Sequence, residues 1–180
     1  MKKAMHILTV LFVLCTMSAY FIYYLTGNIG VYSAFVTFLT FSYHFIMRLI
    51  VGSLIYFVPT RLLKYDNTWF RVKKFERKIY SLLRVKKWKG FMPTYNPDSF
   101  SLKDNLPEKI AVTMCSAELC HEIIIVFSFV PIAFSLEFGV LPVFVATSIF
   151  ASIIDLMFVI IQRFNRPRIV RLIQSKTGIR

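Results

Sequence analysis

Apolar and polar positions alternate along the chain so as to mark out four long apolar runs, one basic stretch and a few short breaks. The first run covers residues 4–26 and ends at Gly27, Asn28 and Gly30, which favour turns. The second covers 31–58 and is closed by Pro59; the third covers 109–136 and the fourth 140–162. At about 1.5 Å per residue, each is long enough to cross a hydrocarbon core of about 30 Å as a helix. Pro131 is expected to kink the third, and Glu137 with Gly139 predicts a short turn before the fourth.

Between the second and third runs the pattern changes. Val72, Phe75, Ile79, Leu82 and Leu83 recur at spacings of three and four, while Lys73, Lys74, Arg77, Lys78, Arg84, Lys86 and Lys87 fill much of the remainder. This predicts an amphipathic basic helix over 68–90 lying in the membrane interface, anchored by Trp69, Phe70 and Trp88 and ended by Gly90 and Pro93. Residues 93–107 have turn composition and read as a loop. The expected fold class is an all-α integral membrane protein, one domain over 1–180, with about four transmembrane helices and one interfacial helix.

Composition supports that picture and orients it. The chain is 57% hydrophobic, yet its formal net charge is +13, with Lys and Arg crowded into 59–107 and 163–180. Basic segments flanking apolar spans follow the positive-inside rule, which puts both of them, and both termini, on the cytoplasmic side. The charges flank spans, so the reading is adhesion to membrane lipid, at about 1 kcal/mol per residue near an anionic surface, and not nucleic-acid binding. Lys2 and Lys3 before an apolar run resemble a signal peptide, but no small-residue cleavage pattern precedes Leu25, so the run reads as a retained span. Cys15, Cys115 and Cys120 show neither a disulfide framework nor metal-ligand spacing.

Against this apolar background one stretch stands out: Glu118-Leu119-Cys120-His121-Glu122. Glu118, His121 and Glu122 share a helix face. A charge buried at the centre of a membrane helix costs roughly 2.5–3.5 kcal/mol, so it calls for a partner or a task. Arg48 lies about ten residues above the inner end of its span and needs a carboxylate, for which Glu122 is a candidate. Counting back from the turn near 136 places Glu118 level with residues 154–155, so Glu118, His121, Arg48 and Asp155 are expected to meet in one layer. Asp155, Gln162 and Arg166 form a stripe at spacings of seven and four. His44 reads as a packed helix residue. A polar staple holding helices together is the alternative reading of this cluster, since interhelical polar contacts average only about 0.6 kcal/mol. Glu-x-x-His also serves as a metal-ligand pair in bundles, but no second such motif occurs and position 125 is Ile, so no metal and no cofactor are expected.

Three elements occur in order: Val85-Lys86-Lys87-Trp88-Lys89, Ala117-Glu118-Leu119-Cys120-His121 and Gln162-Arg163-Phe164-Asn165-Arg166-Pro167-Arg168. Together they resemble the glycosyl-4,4'-diaponeurosporenoate acyltransferase family of bacterial membrane proteins, over roughly residues 75–172. The sequence departs from that pattern at Thr113, Met114 and Ser116, where the family tends to have Glu, Thr and Arg, and at Asp155 and Met157, where it tends to have Asn and Pro. The resemblance implies a bacterial inner-membrane acyltransferase moving a fatty acyl group from a thioester or phospholipid donor to a hydroxyl of a glycosylated or lipid-linked acceptor. Acyl transfer to a hydroxyl needs a base and donors for the developing oxyanion. On this reading His121 is the base and Glu118 orients its ring, while Gln162, Arg163, Asn165, Arg166, Arg48, Trp88, Asp155 and Glu122 are candidates for holding substrate. A metal-dependent intramembrane enzyme and a non-catalytic lipid- or partner-binding protein are the alternatives.

Overall fold

The computed structural model describes residues 2–177, and these are all-helical with no strand among them. Helix α1 (Lys2–Thr26) is apolar nearly all round and stops where Gly27 takes a φ of 62°. Asn28 then caps α2 (Ile29–Leu54): its Oδ1 accepts hydrogens from Gly30 N at 2.8 Å and Val31 N at 3.4 Å. A single 3₁₀ turn over Ile55–Phe57 carries the second span to Pro59. Four stretches are long and apolar enough to cross a membrane: Lys2–Thr26, Ile29–Phe57, Pro107–Phe138 and Leu141–Lys176.

The basic stretch expected as one helix over 68–90 is instead two short ones, α3 (Lys74–Leu82) and α4 (Val85–Trp88). They are split at Arg84, whose φ of 50° no α-helix accommodates. The Trp88 indole donates to the Leu83 carbonyl at 3.0 Å and satisfies the end of α3. Residues 66–73 are turns and coil, with Trp69 and Phe70 in them.

The third span is also divided. Helix α5 (Pro107–Phe127) ends before Pro131, whose missing N–H makes it a good first residue for α6 (Pro131–Phe138) and a poor interior one. Gly139 and Val140, with φ of 66° and 48°, form the turn into α7 (Leu141–Thr177). At 37 residues α7 is about 55 Å long, well beyond the thickness of a hydrocarbon core. The motif from Gln162 to Arg168 thus lies on a continuous helix, despite Pro167 inside it.

The chain clusters into two compact units. One comprises Lys2–Ser53 with Ile123–Asp155. In it Phe12 packs between Phe41 and Phe45, with ring centroids 5.2 and 5.1 Å away, and Thr16 shares a 2.9 Å hydrogen bond with Ser42. Tyr32 and Tyr43 on α2 donate to the carbonyls of Phe138 and Phe127, each at 2.9 Å. The order is reversed, so α2 runs antiparallel to α5 and α6, and both hydroxyls satisfy helix ends. Arg48 pairs with Asp155, and its guanidinium also reaches the carbonyls of His44 at 3.0 Å and Ala151 at 3.5 Å. Asp155, expected in the same layer, is its partner, and not Glu122, the acid expected to pair with it.

His44 is 3% exposed, stands edge-on to Tyr43, and has no hydrogen-bond partner for either ring nitrogen among the described residues. An unsatisfied buried group costs about 1–3 kcal/mol, so His44→Leu is expected to leave the thermal midpoint of the detergent-solubilised protein unchanged or raised. Arg48→Ala should lower it, because Asp155, 1% exposed, would keep its charge without its counter-ion.

The other unit comprises Leu54–Glu122 and the chain from Leu156 onward. Its apolar centre is Leu63, Phe70 and Cys115, packed against Val58, Tyr65, Val112 and Leu119.

Candidate functional site

The ionic centre of this second unit is Glu118. It sits on α5, is fully buried, and gives one carboxylate oxygen to each of two arginines of α7. Oε1 accepts from Arg163 Nη1 at 2.5 Å and Oε2 accepts from Arg166 Nη2. Arg163 and Arg166 are three residues apart on one continuous helix, so both guanidiniums point to the same side. Arg163 is further engaged by Glu76, which takes hydrogens from its Nε at 2.9 Å and its Nη2 at 2.8 Å. Its remaining contacts are the carbonyls of Trp69 at 3.1 Å and Arg71 at 3.3 Å. Arg166 is 2% exposed, donates to the Phe70 carbonyl at 2.6 Å and lies 5.2 Å from the centre of the Phe70 ring.

Two arginines and two glutamates thus form a charge-balanced network that ties α5, α7, the coil at 69–73 and the start of α3 together. Glu76 is the member that reading the sequence missed; it lies within the stretch expected to form a basic helix. Its signal was that it is the one acid in the run Lys73-Lys74-Phe75-Glu76-Arg77-Lys78. It also accepts from Tyr80 Oη at 2.6 Å and from the Lys73 backbone N–H at 3.3 Å. Burial pushes its carboxyl up, but the hydrogen bonds from Arg163, Tyr80 and Lys73 outweigh this and hold it below its usual value of 4.5. A lowered folded value means that this stability is fully present above about pH 4.5 and is lost as pH falls through the folded value. Acid titration of the thermal midpoint should therefore be flatter for Glu76→Gln than for the parent.

His121 lies three residues beyond Glu118 on α5 and is half-buried. Its ring stacks on Phe158 of α7, with centroids 4.7 Å apart and planes 13° from parallel. Gln162 follows one turn after Phe158 on that helix and is also half-buried. Glu122 accepts from the Trp69 indole at 2.9 Å. Asn165 Oδ1 accepts from Lys89 Nζ at 2.6 Å.

Of the four side chains expected in one layer, Arg48 and Asp155 meet as an ion pair, and Glu118 has its own arginine partners, Arg163 and Arg166. Asp155 and Arg166, expected on one stripe, serve different ion pairs. Of the departures from the family pattern, Asp155 has a visible use as the acid for Arg48, and Met114 is buried. Thr113 hydrogen-bonds back to the Lys109 carbonyl at 2.9 Å. Among the described residues no group of three His, Cys, Asp or Glu side chains is placed to hold a metal ion.

The described residues are thus all-helical, with four stretches long and apolar enough to cross a membrane and a buried ionic network joining α5 and α7 to the coil at 69–73 and the start of α3. The chain's family follows from comparison. The glycosyl-4,4'-diaponeurosporenoate acyltransferase family model matches residues 66–175, which include the whole ionic network, and the chain belongs to that family. No curated protein and no solved structure matched the chain.

Proposed function

We propose that the chain is a membrane acyltransferase. It would move a fatty acyl group to a hydroxyl of a glycosylated or lipid-linked acceptor, with a glycosylated carotenoid acid as the first to try. What carries this reading is a half-buried imidazole, stacked on Phe158, one turn from the Glu118 clamp, in a chain of an acyltransferase family. His121 takes the proton from the acceptor hydroxyl as its oxygen attacks the acyl carbonyl. The tetrahedral intermediate then collapses, the ester forms, and the thiolate or alkoxide that leaves regains the proton from the imidazolium. The amides of Gln162 and Asn165 are the proposed donors to the oxyanion.

Glu118 works in this scheme by fixing Arg163 and Arg166, and through them the position of α5 against α7. Arg163, with its hydrogens given to Glu118, Glu76 and backbone carbonyls, and Arg166, buried against Glu118 and the Phe70 carbonyl, are scaffold and not anion receptors. Trp88 and Glu122, each holding a neighbour, shape the surroundings. The basic segments are proposed to face the cytoplasm, with the spans in a bacterial inner membrane. The test is lipid extraction from cells that make the protein and cells that do not, both supplied with the glycosylated carotenoid acid. A species heavier by one fatty acyl group should appear only with the protein. Identical lipid profiles would overturn the proposal.

A further inference from the structure

With Arg163 and Arg166 neutralised inside the protein, an anionic part of any substrate needs other cations. One place in the same unit supplies them. Lys89 follows α4 and is half-buried, with its ammonium 4.9 Å from the centre of the Phe164 ring and 2.6 Å from Asn165 Oδ1. The Asn165 amide nitrogen donates to no described residue, and no carboxylate of the described residues lies within ion-pair distance of Lys89. Arg168, three residues after Asn165, makes no ion pair or side-chain hydrogen bond among the described residues either. Burial first, then Arg168 and Lys86, hold the Lys89 ammonium below its usual range, so the three cations share one field.

A cation on a merely solvated face keeps its water. Lys89 is partly stripped of water, carries like charges beside it, and has an amide and an aromatic face as its partners. Such an arrangement favours a compact, multiply charged oxygen anion, which recruits charge-assisted hydrogen bonds from all sides at once.

We propose that Lys89, with Asn165, Arg168 and Lys86, is a phosphate-binding site that holds the phosphate-bearing end of the acyl donor. The site rests on the acyl-transfer reading for its ligand. Both donor classes fit its chemistry: a thioester on a phosphorylated carrier such as coenzyme A, and a phospholipid, whose phosphodiester lies at the membrane surface. Asn165 would link this site to the reacting carbonyl, since it sits three residues after Gln162 on α7.

Binding tests the proposal without turnover. The purified full chain in neutral detergent is titrated with coenzyme A, and its co-purified lipid is weighed by native mass spectrometry after exchange with phosphatidylglycerol or diacylglycerol. The parent is compared with Lys89→Gln, Arg168→Gln and the surface control Lys74→Gln. Binding of coenzyme A weakened about tenfold by the first two variants and not by the control supports the site with a thioester donor. Retention of phosphatidylglycerol over diacylglycerol, lost in the same two variants, supports it with a phospholipid donor. If neither ligand binds, or if Lys89→Gln binds both as the parent does, the site is overturned. Lys89-dependent binding in a protein that yields no acylated lipid would instead remove the transferase reading and leave the site standing.

Discussion

Membranes containing His121→Ala are expected to lose acyl incorporation by a factor of about 10² to 10⁴, the range that a positioned general base supplies. Protein level should hold. His121 is half-buried, and the stacking on Phe158, among the contacts that truncation removes, is worth about 1 kcal/mol. His121→Phe keeps the stacking and removes the proton acceptor, so it should be as inactive as the alanine variant and at least as stable. Quantifying labelled ester per unit of immunoblotted protein reads both effects together. Full incorporation by His121→Phe would remove the base from the proposal and leave the ring as packing.

The largest structural effect is expected at Glu118. Glu118→Ala strands the Arg166 guanidinium, only 2% exposed, and leaves Arg163 with Glu76 alone; breaking a buried charge pair in this way costs about 3–5 kcal/mol. That is a large part of the roughly 5–15 kcal/mol that holds a typical domain together. The expected result is a strongly lowered thermal midpoint in detergent and poor accumulation in membranes. Glu118→Gln keeps the shape and one acceptor oxygen, so its loss should be smaller. Glu118→Leu combined with Arg166→Met replaces the buried pair by apolar volume and should recover much of the midpoint while leaving transfer impaired. If Glu118→Ala melts with the parent, the clamp is not holding α5 against α7.

The helices were legible because long uncharged runs have few alternatives, and Asn28, Pro59, Pro131 and Gly139 punctuate them. Arg48 was legible as needing a counter-ion, since a lone charge in an apolar run has to be paired, but counting residues placed Asp155 only near its level and did not name it as the partner. Arg84 was not legible as a break, because an arginine with positive φ leaves no mark in a hydrophobic pattern. Glu76 was hidden for a related reason. Periodicity gives no reason to single it out, since its partner Arg163 lies 87 positions further along the chain. Long-range pairing of this kind is decided by tertiary packing. It also gave Arg163 and Arg166, expected as substrate ligands, carboxylate partners inside the protein.

The most direct measurement is acyl transfer by the purified chain in vesicles, supplied with labelled acyl coenzyme A or labelled phospholipid and the glycosylated carotenoid acid. Parent and His121→Phe should be followed side by side at matched thermal midpoints. The account predicts labelled ester from the parent with one of the two donors and none above background from the variant. Equal ester formation by both proteins, or none from the parent with either donor, would contradict it.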